Sequence, residues 1–179
     1  MSDPRFNVLF LCTGNSARSI LAESILNQLG AERFRAWSAG SQPRGEVHPL
    51  ALETLRGVGF PTAGLRSKSW DEFARAGAPA MDFIFTVCDN AAGEACPVWL
   101  GHPVSAHWGV EDPAAVPGSE AEQKAAFVTT FGQLKNRIEA FIALPLHRLA
   151  PAALRAELAA IGAGEGASAG ASRGNPRHG

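Results

Sequence analysis

The stretch Cys12-Thr13-Gly14-Asn15-Ser16-Ala17-Arg18-Ser19 constrains the fold more than any other part of the chain. Before it, Phe6-Asn7-Val8-Leu9-Phe10-Leu11 is apolar nearly throughout, the pattern of a central strand covered on both faces. After it, Leu21, Ile25 and Leu29 recur four apart, and Gly30 is a natural helix stop. A strand therefore feeds through a short loop into a helix from about Ala17 to Leu29. Gly14 lets the backbone approach an anion closely, and successive N–H groups along such a turn point inward as a nest. The helix aims its free amides and the positive end of its dipole at the same point. Arg18 can clamp two oxygens of a bound oxyanion with its planar fork. That field predicts a lowered pKa and a nucleophilic thiolate at Cys12, with Ser19 placed to donate a hydrogen bond to it. A bare Cys-x5-Arg also occurs in ordinary strand-to-helix turns. Here Gly, Asn, Ser and Ser fill the surrounding positions in the context that the motif requires.

The rest of the chain continues the alternation. Arg33 to Gly40 reads as a second strand. His48-Pro49 opens a helix with the apolar face Leu52, Leu55 and Val58, and His48 itself reads as a helix-start or surface residue. A loop over 60–68 and a short helix around Ser69–Ala76 precede a third strand, Asp82 to Cys88. Residues 89–101 lack clean periodicity. A fourth short strand covers Pro103 to Gly109, and Glu111-Asp112-Pro113 begins a loop. Ser119-Glu120-Ala121-Glu122 is a capping box, and the helix it starts carries the stripe Phe127, Phe131, Leu134, Ile138, Phe141 and Ile142. Glu23, on the first helix, reads as a solvated surface carboxylate. Residues 1–145 are expected to form one domain. In the 146–179 extension, Leu154 to Ile161 suits a short helix, and the Gly/Ala/Ser-rich tail that follows cannot bury a core.

Four strands separated by helices predict a single α/β domain, a four-stranded parallel sheet with helices on both faces. In such sheets the ligand site lies beyond the carboxyl ends of the strands. Cys12, the Cys88 region and the Asp112 loop all follow strand ends. A net charge of -1 offers no basic field for nucleic acid, and no apolar run is long enough to span a membrane. Three Cys in a chain that opens without an apolar leader are expected to be reactive thiols in a reducing, cytoplasmic setting.

Two further pieces carry chemistry. Cys88 and Cys96 stand eight positions apart, with Asp, Asn and Gly between them and Pro97 after the second. Either is by itself an ordinary buried Cys. As a pair, they supply the resolving thiols that a protein needs when it takes up oxidising equivalents, and the intervening stretch is flexible enough to bring them together. Asp112-Pro113 is by itself a common turn. Proton donation to a departing oxygen, however, requires a carboxyl held beside the anion, and Asp112 follows a strand end.

The loop Cys12 to Ser19 resembles the phosphate-binding loop of the low-molecular-weight protein tyrosine phosphatases. With its Cys-Thr-Gly-Asn-Ser, it resembles more closely the thioredoxin-coupled arsenate reductases built on that scaffold. Ser38-Ala39-Gly40, the Cys88…Cys96-Pro97 pair and His107-Trp108-Gly109-Val110-Glu111-Asp112-Pro113-Ala114 match the same group in order, across residues 6–143. The Cys88–Cys96 spacing is one residue longer than in many of them, and Ala17 replaces a Cys common in that loop. The resemblance implies a phosphatase-like fold and reduction of arsenate to arsenite, with phosphate or sulfate as competing oxyanions and no tightly bound cofactor.

In the mechanism it implies, Cys12 attacks arsenic, bound by residues 13–19, while Asp112 protonates the departing oxygen. Cys88 then attacks Cys12, and Cys96 moves the disulfide to Cys88–Cys96. An external reductant completes the cycle: thioredoxin, glutaredoxin or a low-molecular-weight thiol. Some relatives hold a monovalent cation with Asn, Glu, Ser and Asp. Asn15, Glu23 and Ser38 match, but Pro61 stands in the place of the Asp, so no metal is expected. Two other functions stay open on the residues. One is a tyrosine phosphatase, although Asp112-Pro113 is followed by Ala114-Ala115-Val116 rather than aromatic residues. The other is a thiol redox sensor or oxyanion-binding module.

Overall fold

The computed structural model describes residues 5–88 and 103–164. Cys96 and its surroundings, and the tail from residue 165, lie outside the described residues. The elements in chain order are β1 (Phe6–Leu11), α1 (Arg18–Leu29), β2 (Phe34–Ala39), α2 (Pro49–Gly57), α3 (Asp71–Ala74), β3 (Phe83–Thr86), β4 (Val104–His107), α4 (Glu120–Ile142) and α5 (Pro151–Gly162). The four strands form one sheet in the order β2-β1-β3-β4, all neighbours parallel. This is the α/β architecture that the alternation predicts.

Register brings the carboxyl ends level. Leu11 pairs with Ala39 on one side and Thr86 on the other, and Thr86 pairs with His107. The strand order switches sides at β1, with β2 on one flank and β3 on the other, so a crevice opens beyond the ends of β1 and β3. Cys12 lies at that edge. The third strand is shorter than predicted, ending at Thr86; Val87 and Cys88 leave the ladder but stay buried, with Val87 N–H donating to Leu11 O at 2.9 Å.

Period-two alternation along β1 sends Val8 and Phe10 into the larger core beneath α1 and α4, and Leu9 and Leu11 into a smaller one with Phe73, Met81 and Ile84. Phe141 of α4 lies at the centre of the larger core, its ring 4.9 Å from Phe34, 5.1 Å from Phe83 and Phe85, and 5.7 Å from Trp108. The stripe read from the sequence is the buried face of α4, and both limbs of its Ser119–Glu122 capping box form. Two expectations shift by a turn. Leu29, the last residue of α1, and Val58, just past the end of α2, are exposed; Leu26 and Leu55 mark the last buried turns.

Gly40 shows why β2 must be followed by a glycine. A side-chain carbon there would collide with the Thr13 and Cys12 carbonyl oxygens, so only glycine lets β2 run against the loop after β1. At the other edge of the sheet, α5 packs on β4. The Trp108 indole stacks on Phe85 at 3.8 Å and donates its Nε1–H to Leu158 O at 3.0 Å. Among the described residues, no helix is long and apolar enough to cross a membrane.

Candidate active site

The loop from Cys12 to Ala17 is held from outside by its carbonyls. Gln42 N–H donates to Thr13 O at 3.0 Å, Arg44 N–H to Gly14 O at 3.0 Å, and His48 N–H to Ser16 O at 2.8 Å. The Ser67 hydroxyl adds a second donor to Gly14 O at 3.2 Å. With these carbonyls anchored to the segment between β2 and α2, the loop amides are left for the concave side. Two of them meet sulfur: Thr13 N–H donates to Cys88 Sγ at 3.3 Å, and the Gly14 amide to Cys12. The turn requires Asn15 in the left-handed region, φ +43°, where Asn is among the few residues tolerated. Its buried side chain fixes that conformation. Nδ2 donates to Ser19 Oγ at 2.8 Å and Ser38 Oγ at 2.9 Å, and Oδ1 accepts Lys68 N–H at 2.9 Å.

Cys12 and Cys88 are both buried thiols, joined by a side-chain hydrogen bond. That contact reverses the sequence expectation for Cys12. The hydrogen bond with Cys88 and then burial push its thiol well above the ordinary cysteine range, outweighing Arg18 and the Gly14 amide. The field anticipated from the loop is present, but the second sulfur after β3 and burial outweigh it. Ser19 Oγ accepts from Asn15 Nδ2 at 2.8 Å, which ties it to the loop turn.

Arg18, at the start of α1, donates through Nη1 to Val110 O at 3.0 Å and turns Nη2 to Asp112 Oδ2 at 3.7 Å. Asp112 Oδ1 accepts Ala114 N–H at 3.0 Å, which caps the 3-10 turn Pro113–Ala115 and aims the other oxygen at the loop. The fold thus brings Cys12, Arg18, Cys88 and Asp112, from three strand ends, to one place; Cys96 lies outside the described residues. His107 pairs with Thr86 Oγ1 through Nδ1 at 2.6 Å, within the sheet register.

Glu23 is not a solvated carboxylate. It is buried under the loop, accepting from Ser38 Oγ at 2.9 Å, with the buried Lys68 ammonium 3.6 Å away. Lys68, not Pro61, is the residue that faces it. Asn15, Ser38 and Glu23 therefore do not fit an added monovalent cation, since an ammonium group already supplies the charge. Among the described residues, no group of His, Cys, Asp and Glu could hold a metal ion. A lone Lys in Arg66-Ser67-Lys68-Ser69 was the only sequence signal, and nothing local ties it to Glu23.

Burial raises the Glu23 pKa, and Lys68 and Ser38 oppose it. A carboxyl raised in the folded state favours folding below its unfolded value and loses that contribution as pH climbs through the folded one. Lys68→Met removes the opposing charge, so its cost should grow with pH. Urea unfolding is expected to show a loss of about 3 kcal/mol at pH 8 and less at pH 5; an equal loss at both would contradict the pairing.

The chain matches the model of the family described as low molecular weight phosphotyrosine protein phosphatase over residues 7–172. It is 34% identical over 134 residues to an arsenate reductase of Bacillus subtilis (strain 168), a match covering 75% of this chain and 93% of that protein. Among solved structures, it is similar to an arsenate reductase in its phosphate-binding state. The TM-score is 0.63 at 29% identity, covering 77% of this chain and 97% of the other. It is also similar to a thioredoxin-dependent arsenate reductase of Corynebacterium glutamicum, with a TM-score of 0.54 at 26% identity, covering 78% and 64%.

Proposed function

The chain belongs to the low molecular weight phosphotyrosine protein phosphatase family, and we propose that within it the protein is an arsenate reductase that uses Cys12 as nucleophile and Cys88 as the resolving thiol. One observation carries this reading. A second thiol is in hydrogen-bond contact with Cys12 at the base of the oxyanion loop. Hydrolysis of a phosphate ester needs only the nucleophile; a two-electron reduction needs the second sulfur. The likeness to arsenate reductases over most of both chains supports the same choice.

In this mechanism, arsenate enters the cradle of residues 13–19, held by loop amides and the Arg18 fork. The Cys12 proton passes to an arsenate oxygen as the Sγ–As bond forms, so the thiolate need not be populated beforehand. Cys12 Sγ forms a bond to arsenic(V), and an oxygen departs as water after protonation, with Asp112 as the acid. Cys88 Sγ then attacks Cys12 Sγ. The S–As bond breaks with its electron pair staying on arsenic, giving arsenite and a Cys12–Cys88 disulfide; two electrons have moved from the thiols to arsenic. Cys96 would carry the disulfide on to Cys88–Cys96, and a dithiol protein of the thioredoxin kind, a glutaredoxin or a small thiol would reduce it. Phosphate and sulfate compete for the same cradle.

The test is sustained consumption of a reductant. With thioredoxin, its reductase and NADPH present, arsenate should drive NADPH oxidation over many turnovers, inhibited by phosphate. Efficient hydrolysis of p-nitrophenyl phosphate without arsenate-driven oxidation would assign a phosphatase. Oxidation that stops after one equivalent in the full system would assign a redox sensor.

A further inference from the structure

One titratable side chain is built into the frame of the oxyanion loop rather than into its concave side. His48 ends the segment that anchors the loop, its N–H on Ser16 O at 2.8 Å. Its ring caps α2: Nδ1 accepts Leu50 N–H at 3.1 Å, in the position where Ser, Thr, Asp or Asn usually serves. The ring also lies on Phe127 of α4, with centroids 4.8 Å apart. These contacts set the protonation state. Nδ1 can accept only with its lone pair free, so the cap is made by neutral imidazole with its proton on Nε2. A protonated ring would turn an N–H at the Leu50 N–H, and the cap would be lost.

We propose that His48 is a positioning residue for the oxyanion loop: its backbone N–H holds Ser16, its neutral imidazole caps the α2 start that carries that N–H, and loss of the cap in acid loosens the grip of the loop on its oxyanion. The inference rests on the reading of residues 13–19 as the oxyanion site. The groups facing His48 are Arg44 from the anchoring segment, Asp112 from the segment after β4, the uncharged Phe127 ring from α4 and the Ser16 carbonyl from the loop. Burial first, and then Arg44, lower the His48 pKa, while Asp112 opposes them. The neutral form is therefore fully present above the ordinary histidine value of about 6.5, and the cap is lost as pH falls through the lowered value of the folded chain. A His48 acting merely as added positive charge would have the opposite sign, binding the oxyanion more tightly in acid.

Inorganic phosphate is the probe, and its affinity is measured by calorimetry from pH 8 to pH 4.5 for the wild-type chain and for His48→Asn, a cap that does not titrate, with the His48 ring titration followed by NMR over the same range. Each curve is normalised to its own value at pH 8, which removes the titration of phosphate itself. Wild-type affinity should fall about five-fold further than that of His48→Asn, the loss of one helix cap, and His48→Ser should follow the Asn curve. Superimposed curves, or a wild type that gains affinity relative to the variants in acid, would overturn the inference and leave the oxyanion site standing. Absence of phosphate binding by the wild type at any pH would overturn the oxyanion site and this inference with it.

Discussion

Cys12→Ser is expected to abolish arsenate reduction and any aryl-phosphate hydrolysis together, each by about 10⁴-fold or more. Both reactions begin with the same bond, from Cys12 Sγ to the central atom of the oxyanion. A serine hydroxyl in this place keeps the loop, the Arg18 fork and Asp112, yet it has no base beside it strong enough to ionise it. Phosphate should still bind, because the amides and the guanidinium do not depend on the sulfur. Parallel measurement of phosphate affinity therefore separates lost chemistry from a lost fold. Residual hydrolysis within ten-fold of wild type would mean that another nucleophile is at work.

Cys88→Ala should split the two reactions. Reduction over many turnovers should fall to background, since no thiol can attack the Cys12–arsenic adduct. Hydrolysis of p-nitrophenyl phosphate should persist. The variant also reports on the Cys12 thiol. The hydrogen bond with Cys88 is the largest cause raising the Cys12 pKa, and its removal leaves burial against Arg18 and the Gly14 amide. The thiolate fraction of Cys12 at neutral pH should therefore rise. Iodoacetamide should modify Cys12 faster in Cys88→Ala than in the wild type, and the midpoint of its rate against pH should move down. A slower or unchanged Cys12 would contradict the pairing of the two sulfurs.

The parts of this site that were legible in the sequence are those encoded by neighbours in the chain. A strand, a glycine loop and a helix start are local, so the strand–loop–helix unit that carries Cys12 and Arg18 could be read from residues 6–30. The capping box at Ser119 and the stripe of α4 were legible for the same reason. Topology placed Asp112 beside the loop, because every strand in a parallel sheet ends at the same edge.

What was not legible depends on contacts between distant segments. Glu23 looks like any exposed helix carboxylate until β2 supplies Ser38 and the loop before α3 supplies Lys68. The proton held on Cys12 needs β3 to deliver a second sulfur, which opposes a field that the loop alone would have made decisive. His48 announced a helix start through Pro49, but its ring as the cap, seated on Phe127, required α4 in place. The cover that α5 gives to β4 turns on an indole N–H reaching Leu158, which no periodicity encodes.

The most direct test of the account is a single turnover without reductant. Fully reduced wild-type protein is mixed with excess arsenate, quenched with acid, alkylated and mapped by mass spectrometry, while arsenite is quantified in the same sample. The account requires about one arsenite per chain, two thiols protected from alkylation, and a disulfide that includes Cys88. In Cys96→Ser, the account further requires that the bond be Cys12–Cys88. Three alkylated cysteines and no arsenite would contradict it.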